Sequence, residues 1–301
     1  MSIVVQNLEK QYGTQKALAG ISFSIPGGEI VGLLGPNGAG KTTTMKILSG
    51  FMDAFQGEAM INELDIRTHA LEIKRLIGYL PEHNPLYLDM YVREYLSFVA
   101  SVYQLDNIGK RISDIVALTG LEKEQHKLIR ALSKGYRQRI GLAQALIHDP
   151  EILILDEPTT GLDPNQLVEI RQLIRNIGKE KTVVFSSHIM QEVQALCDRV
   201  IILHDGKLVA DDKIEYLDRA LNNQREIEVE LNRPLENKWK LTGLEEVIEA
   251  SGNRYRLVFK KSNHDPRESI FDFVVQNHLK ILSMNEKKSS MEDVFQKMTL
   301  K

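Results

Sequence analysis

A glycine-rich stretch of the chain has the residue types that hold an anion. It follows an apolar run at 30–34, precedes a helical pattern, and consists of Gly35, Pro36, Asn37, Gly38, Ala39, Gly40, Lys41, Thr42 and Thr43. Glycines let consecutive backbone N–H groups turn inward, where they bind phosphate oxygens at the positive end of a helix. Lys41 adds a mobile positive charge, and the Thr42 hydroxyl can reach a Mg²⁺ ion. Because a strand and a helix flank it, the stretch predicts a site for the phosphates of a nucleoside triphosphate rather than a plain turn.

A second stretch places two carboxylates directly after a buried strand pattern. Residues 152–155 are Ile-Leu-Ile-Leu, and Asp156 and Glu157 follow them. Ligands of open α/β sheets bind at the carboxyl ends of the strands, so we expect both carboxylates beside the phosphate-binding loop. Asp156 is predicted to hold Mg²⁺ through its water shell, and Glu157 to orient or deprotonate the attacking water. The alternative is a solvated acidic strand end, which the upstream loop disfavours.

The elements that must position these residues alternate between strands and helices. Strand patterns occur at 3–8, 18–25, 152–155, 182–186 and 200–203, and helical patterns at 42–51, 166–177 and 189–196. Between 85 and 148 only helical patterns recur, at 91–103, 108–118 and 135–147. This alternation predicts an α/β fold with a mostly parallel sheet covered on both faces and a helical insert.

A change in composition marks a second part of the chain. Residues 218–224 are polar, and beyond them strand patterns at 226–231 and 254–259 surround a turn at 251–253. A helical pattern at 269–277 and a strand pattern at 280–284 follow. We therefore expect a domain at 1–218 that carries the loop, and a small α+β accessory or regulatory domain at 225–301.

Composition excludes several classes of protein. The 301 residues are 26% charged and 43% hydrophobic, and the formal net charge of −3 provides no general attraction to nucleic acid. No apolar run is long enough to cross a bilayer, and the first ten residues lack the order of a secretory signal. The single cysteine, Cys197, cannot form an internal disulfide and is expected to be a small buried apolar residue. These features favour a cytoplasmic protein.

The motifs and their order resemble those of the ATP-binding subunits of ABC transporters, from residue 3 to about 210. The resemblance implies a phosphate-loop NTPase core, the ABC ATPase fold, with an antiparallel β subdomain and a helical subdomain at about 85–148. It also implies ATP as the substrate and Mg²⁺ as the metal.

Several residues gain a role only through this resemblance. Tyr12 matches the aromatic residue that stacks on adenine, for which ordinary packing is the alternative. His188 matches the switch histidine, which meets the γ-phosphate, and Asp163 lies in the dimer loop. The family's signature, which acts on the ATP of a second subunit, corresponds to Ser133, Lys134, Gly135 and Tyr136.

The chain departs from the family's pattern at two places. Glu82 stands where the family usually has glutamine, and its carboxylate can still coordinate Mg²⁺, unless it is a plain loop residue. In the signature, Lys134 and Tyr136 replace a glycine and a glutamine. We therefore expect a working signature with altered properties.

The resemblance also implies partners and a location. The chain is expected to form a head-to-tail homodimer, or a heterodimer with a second ABC ATPase, on separate transmembrane permease subunits at the inner face of the cell membrane. Glu82, the signature and the tail at 289–295 resemble the ABC-2 exporter branch, and within it the gliding-motility ATPase of bacteroidetes. The alternative is a soluble, non-transport ABC ATPase that acts on ribosomes or DNA, although one ATPase unit and no basic surplus argue against nucleic-acid binding.

Overall fold

The computed structural model of the chain describes residues 2–216, 224–235, 238–260 and 265–287. It divides into two compact units, residues 1–214 and 215–301. Most of the polar joint expected at 218–224, and the tail at 289–295, lie outside the described residues.

The first unit contains the elements that carry the predicted motifs. Its strands are β1 (Ser2–Tyr12), β2 (Gln15–Pro26), β3 (Ile30–Leu34), β4 (Gln56–Ile61), β5 (Leu64–Asp65), β6 (Ile77–Leu80), β7 (Ile152–Leu155), β8 (Thr182–Ser187), β9 (Arg199–His204) and β10 (Lys207–Lys213). Its helices are α1 (Lys41–Leu48), α2 (Ala70–Leu76), α3 (Val92–Val102), α4 (Ile108–Leu118), α5 (Lys134–Leu146), α6 (Pro164–Gly178) and α7 (Met190–Leu196).

A mostly parallel sheet brings the predicted motifs to one edge. Its strand order is β10-β9-β3-β8-β7-β6, and β3, β7 and β8 are buried along their whole length. Continuous apolar runs form such strands because both faces of a parallel sheet are covered. Since β3 pairs with β8 and β8 with β7, the carboxyl ends of these three strands are neighbours. The glycine-rich loop, the two carboxylates and His188 follow those three ends.

A second, antiparallel sheet has the order β2-β1-β4-β5. Side chains of both sheets share one hydrophobic core, which includes Ile3, Leu18, Met45 and Ile154. The sequence patterns did not predict β4, β5, α2 or β6. Strand β4 mixes exposed and buried residues without regular alternation, and β5 has only two residues, so neither has a readable period.

The helical insert consists of α3, α4 and α5 and lies between β6 and β7 in the chain. Leu96, Ile112 and Ile140 are among its buried residues. Within the ranges that the structure describes, no helix combines the length and the apolar character needed to cross a membrane.

The second unit is an antiparallel sheet with one helix, in agreement with the expected α+β class. The strands β11 (Gln224–Leu231), β12 (Leu244–Ser251), β13 (Arg254–Lys260) and β14 (Ile281–Lys287) pair in the order β12-β13-β11-β14, with α8 at Pro266–Gln276. The predicted turn at 251–253 joins β12 to β13. Strand β12 was missed because charged glutamates interrupt its apolar residues. Ile227, Val229, Leu257, Ile270 and Val274 form the core of this unit.

Candidate active site

The glycine-rich loop has a backbone conformation that depends on glycine. Gly38 and Gly40 have φ angles of 83° and 106°, which disfavour any residue with a Cβ. A Cβ on Gly40 would lie 2.6 Å from Leu18 Cδ2 and 2.8 Å from the Ala17 carbonyl oxygen. No side chain of the described residues caps α1, so the N–H groups of its first turn are available to an anion.

Lys41 lies under this loop and is only 6% exposed. Its Nζ donates hydrogen bonds to the carbonyl oxygens of Gly35 and Pro36, at 2.8 and 3.2 Å. The same Nζ is 3.6 Å from Glu157 Oε1. A buried ammonium group needs such partners, and a phosphate at the loop would add another.

Asp156 lies at the end of β7 and has one satisfied and one unsatisfied oxygen. Its Oδ1 accepts hydrogen bonds from Ser186 Oγ at 2.6 Å and from Thr42 Oγ1 at 3.2 Å. Its Oδ2 is buried and has no hydrogen-bond partner among the described residues. Burial raises the pKa of Asp156, and the negative charges of Glu82 and Glu157 raise it further, whereas the two hydroxyl hydrogen bonds oppose them.

These features fit a magnesium ion. The unsatisfied Oδ2 of Asp156, the nearby Thr42 hydroxyl and the Glu82 carboxylate are hard oxygen ligands of the kind that Mg²⁺ prefers. In the described part of the chain, no group of three His, Cys, Asp or Glu side chains could hold a metal on its own.

Glu157 has an unusual backbone conformation. Its φ of 49° lies in the left-handed region, and its N–H donates a hydrogen bond of 2.9 Å to Ser186 Oγ. Ser186 thus contacts both Glu157 and Asp156 and fixes their relative position. This role of Ser186 could not be predicted from the sequence, because a serine inside a strand pattern carries no signal of its own.

His188 lies beside the carboxylate of Glu157. Its Nδ1 is 3.1 Å from Oε1 and 3.0 Å from Oε2. The imidazole is 43% exposed, whereas the carboxylate is 7% exposed. Thr160 Oγ1 donates to the same carboxylate at 3.1 Å. The exposed edge of the histidine therefore faces solvent while its other side is held by Glu157.

A cleft of about 510 Å³ connects most of the predicted residues, which is the size of a small-molecule site. It is lined by Tyr12, Gln15, Ala17, Asn37, Gly38, Gly40, Lys41, Thr42, Thr43, Glu82, Glu157, Thr160 and His188. The ring of Tyr12, which is 46% exposed, is available to a flat ligand at this cleft.

The signature residues and Asp163 do not line this cleft. Ser133 caps α5 and accepts a hydrogen bond from the Tyr136 N–H at 3.4 Å, and both Ser133 and Lys134 are exposed. The Lys134 ammonium lies against Gly161. Asp163 caps α6 and accepts from the N–H groups of Asn165 and Gln166, at 3.0 Å each. The structure thus places these residues at the starts of two helices outside the cleft.

The fold and the cleft define an ATP-binding cassette, and comparisons with known proteins identify the family. The ABC transporter family model matches residues 18–160. The bacitracin transport ATP-binding protein BcrA of Bacillus licheniformis is 32% identical over 302 residues, which cover 99% of this chain and 98% of the relative. The Nod factor export ATP-binding protein I of Ralstonia nicotianae is 37% identical over 212 residues, 69% of this chain and 66% of the relative.

A solved structure gives the same result. The dimeric cassette MJ0796, in a post-hydrolysis state bound to ADP and Pi, matches with a TM-score of 0.65 and 26% identity, over 70% of this chain and 98% of that chain. The chain belongs to the family of ABC transporter ATP-binding proteins. It is an ATPase, and its substrate is ATP together with Mg²⁺.

Proposed function

We propose that this chain is the ATP-hydrolysing subunit of an ABC exporter and that the cleft is its catalytic site. The observation that carries the proposal is the position of the Glu157 carboxylate, which lies between Lys41 and His188 at the phosphate-binding loop. A buried carboxylate at that point can orient a water molecule for attack on the γ-phosphate and accept its proton.

In this proposal each predicted residue has a defined task. The loop from Gly35 to Thr43 binds the phosphates, and Lys41 neutralises their charge. Tyr12 stacks on adenine, and His188 contacts the γ-phosphate. Thr42, Asp156 and Glu82 would hold Mg²⁺, which neutralises phosphate charge as the terminal bond breaks.

We propose further that two subunits share each nucleotide. The exposed Ser133 and Lys134 lie outside their own cleft, which supports a role on the ATP of a second subunit, identical or paralogous. In a head-to-tail dimer Ser133, Gly135 and Tyr136 would close the partner's cleft, with Asp163 at the contact. Hydrolysis would remove the bridging γ-phosphate and reopen the dimer.

Export requires membrane subunits, which we propose to be separate permease chains. The names of the two relatives, for bacitracin transport and Nod factor export, support a transport role. The subunit would then lie in the cytoplasm, peripheral on the inner face of the membrane. Both relatives favour this role over a soluble ATPase that acts on ribosomes or DNA, as does the net charge of −3.

A link to gliding motility is a narrower proposal. Its support is the sequence resemblance around Glu82 alone. Deletion of the gene in the native host tests it, since loss of gliding with unchanged growth is expected, and normal gliding would remove the proposal.

The transport proposal is tested by a pull-down from detergent-solubilised membranes of the native host. The bait is the tagged Glu157→Gln chain with ATP, and the control is the Lys41→Ala chain. We expect a multi-span membrane protein to co-purify with the first bait and to be depleted with the second. Recovery of ribosomes or DNA-bound complexes instead would overturn the transport role.

A further inference from the structure

A buried carboxylate lies next to the site without lining the cleft. Glu192 is in α7 and is 4% exposed. Its Oε2 accepts a hydrogen bond from Thr159 Oγ1 at 2.6 Å and another from Ser187 Oγ at 2.7 Å. Thr159 and Ser187 are themselves 3% and 0% exposed. A single oxygen atom thus joins two hydroxyl groups in a space that excludes water.

The two hydroxyl groups belong to the two segments that carry the site. Thr159 follows Glu157 by two residues, and Ser187 directly precedes His188. Ser187 Oγ also accepts a hydrogen bond from the Ile189 N–H at 3.0 Å, so it fixes the backbone on both sides of His188. These segments lie at the carboxyl ends of different strands: Thr159 follows β7, and Ser187 is the last residue of β8. Glu192 is therefore a direct connection between the Glu157 segment and the His188 segment.

The charge of Glu192 is only loosely compensated. The nearest cation in the described ion pairs is Arg171, whose Nη2 is 4.0 Å from Oε1. A buried carboxylate costs free energy, and well-packed apolar groups often replace a buried ion pair without loss of stability. Stabilisation of the fold is therefore a weak explanation for a glutamate at this position. A role in fixing the relative position of the Glu157 and His188 segments explains it better.

We propose that Glu192 is a positioning residue, which holds the Glu157 and His188 segments so that His188 Nδ1 stays within hydrogen-bond distance of the Glu157 carboxylate. The inference rests on the proposed roles of those two residues. Because the described hydrogen bonds and ion pair of Glu192 go to Thr159, Ser187 and Arg171 and not to the phosphate-binding loop, its loss should change the rate of hydrolysis and not the affinity for ATP. Displacement of catalytic groups by about 1 Å costs up to roughly 100-fold in rate.

The test compares Glu192→Ala with Gln191→Ala, a change at an exposed position of the same helix. For Glu192→Ala we expect kcat to fall roughly 10- to 100-fold, with KM for ATP within about twofold of the parent. Glu192→Gln, which retains one acceptor oxygen, should recover part of the loss. Gln191→Ala should match the parent in both constants. An increase in KM alone in folded Glu192→Ala would overturn the proposal, and so would an unchanged kcat together with an unshifted His188 NMR signal.

Two more variants keep the test decisive if Glu192→Ala does not fold. Thr159→Val and Ser187→Ala each remove one donor to Glu192 with little change in volume. Each should lower kcat at constant KM, and unchanged turnover in both, with the His188 NMR signal unshifted, would overturn the inference.

An NMR spectrum of ring-labelled histidine separates this inference from the catalytic roles. We expect the His188 signal to shift in Glu192→Ala and Thr159→Val and to remain in place in Gln191→Ala. A shifted signal with unchanged turnover would mean that the roles of Glu157 and His188 are wrong. An unshifted signal would mean that Glu192 does not position them.

Discussion

His188 Nδ1 lies 3.1 and 3.0 Å from the two carboxylate oxygens of Glu157. A carboxylate accepts hydrogen bonds, so Nδ1 carries the proton in this contact and Nε2 is left for a ligand. Both side chains line the cleft beside Lys41. The contact joins the ends of two neighbouring parallel strands, β7 and β8, and so brings the proposed base and the proposed γ-phosphate ligand together in one cleft.

Glu157→Gln should retain ATP binding and lose hydrolysis. The amide keeps the shape of the side chain but cannot accept a proton from water, and general-base catalysis contributes about 10²–10⁴-fold. Phosphate release and equilibrium ATP binding measure the two properties, with exposed Glu180→Gln as the control. Full turnover in Glu157→Gln would remove Glu157 as the base.

Lys41→Ala should lose ATP affinity. Its ammonium is the buried cation at the loop, and loss of a hydrogen bond to a charged group costs about 1.5–3 kcal/mol, roughly 10- to 100-fold in Kd. Lys46 lies in the last turn of the same helix and is not among the residues that line the cleft. The control variant Lys46→Ala should therefore bind ATP normally. Equal Kd values for the two variants would contradict the assignment of the loop.

Sequence spacing predicted those groups because each follows a strongly patterned strand. The runs at 30–34, 152–155 and 182–187 are wholly buried, so each reads as a short, continuous, mostly apolar run whose ends can be placed to within about a residue. A parallel sheet then brings such ends together whatever the intervening sequence is. The glycine-rich loop is equally readable, since its φ angles require glycine at fixed positions.

Asp156→Asn should stabilise the nucleotide-free chain at neutral pH and reduce Mg²⁺-dependent turnover. Burial raises the pKa of Asp156 in the folded state, so stability is lost as pH rises from the ordinary value of 3.8 through the raised one. Above that pH window the buried, ionised carboxylate lowers the free energy of unfolding. Asparagine carries no charge and removes this destabilisation. We expect Tm to rise by about 2–4 °C at pH 7, the shift for roughly 1 kcal/mol.

Calorimetry at pH 7 and at acidic pH tests whether Asp156→Asn raises Tm and whether the increase depends on pH. The difference in Tm between Asp156→Asn and the parent should shrink as the carboxyl group takes up its proton. Asp114→Asn, at an exposed position of α4, should leave Tm unchanged at both pH values. A lower Tm for Asp156→Asn at pH 7 would contradict the account of this carboxylate.

His148 should make the protein sensitive to acid. Its ring stacks on Tyr103 with centroids 3.9 Å apart, and Nε2 lies 3.0 Å from the Ile77 carbonyl oxygen. Burial lowers the pKa of His148 from 6.5 to about 4. As pH drops, His148 is protonated in the unfolded chain before it is protonated in the folded chain. The free energy of unfolding therefore falls as pH drops from 6.5 to about 4.

His148→Phe tests this by keeping the stacked ring and removing the titration. The variant should be less stable at pH 8, because the Ile77 carbonyl loses its partner, and its Tm should depend less on pH between 6.5 and 4. Denaturation at several pH values measures both effects. A pH dependence identical to that of the parent would show that His148 does not titrate in this range.

The features that the sequence did not reveal share a physical cause. Ser186 and Glu192 act through contacts between residues 29 to 33 positions apart, as in Ser186 with Glu157 and Glu192 with Thr159. No fixed separation in the sequence predicts either contact, because each contact depends on how the ends of two strands meet in the folded chain. Strand β12 and the pair β4 and β5 are held by their neighbours in the sheet rather than by their own pattern.

The central claim is that each catalytic site uses the cleft of one subunit and the signature of another. It is tested most directly by mixing two inactive variants, Glu157→Gln and Ser133→Arg, with formation of mixed dimers verified by differently tagged chains. In a mixed dimer, the intact cleft of the Ser133→Arg chain meets the intact signature of the Glu157→Gln chain. We predict that ATP hydrolysis returns to a fraction of the parent rate. Verified mixed dimers without any recovery of hydrolysis would contradict the shared site.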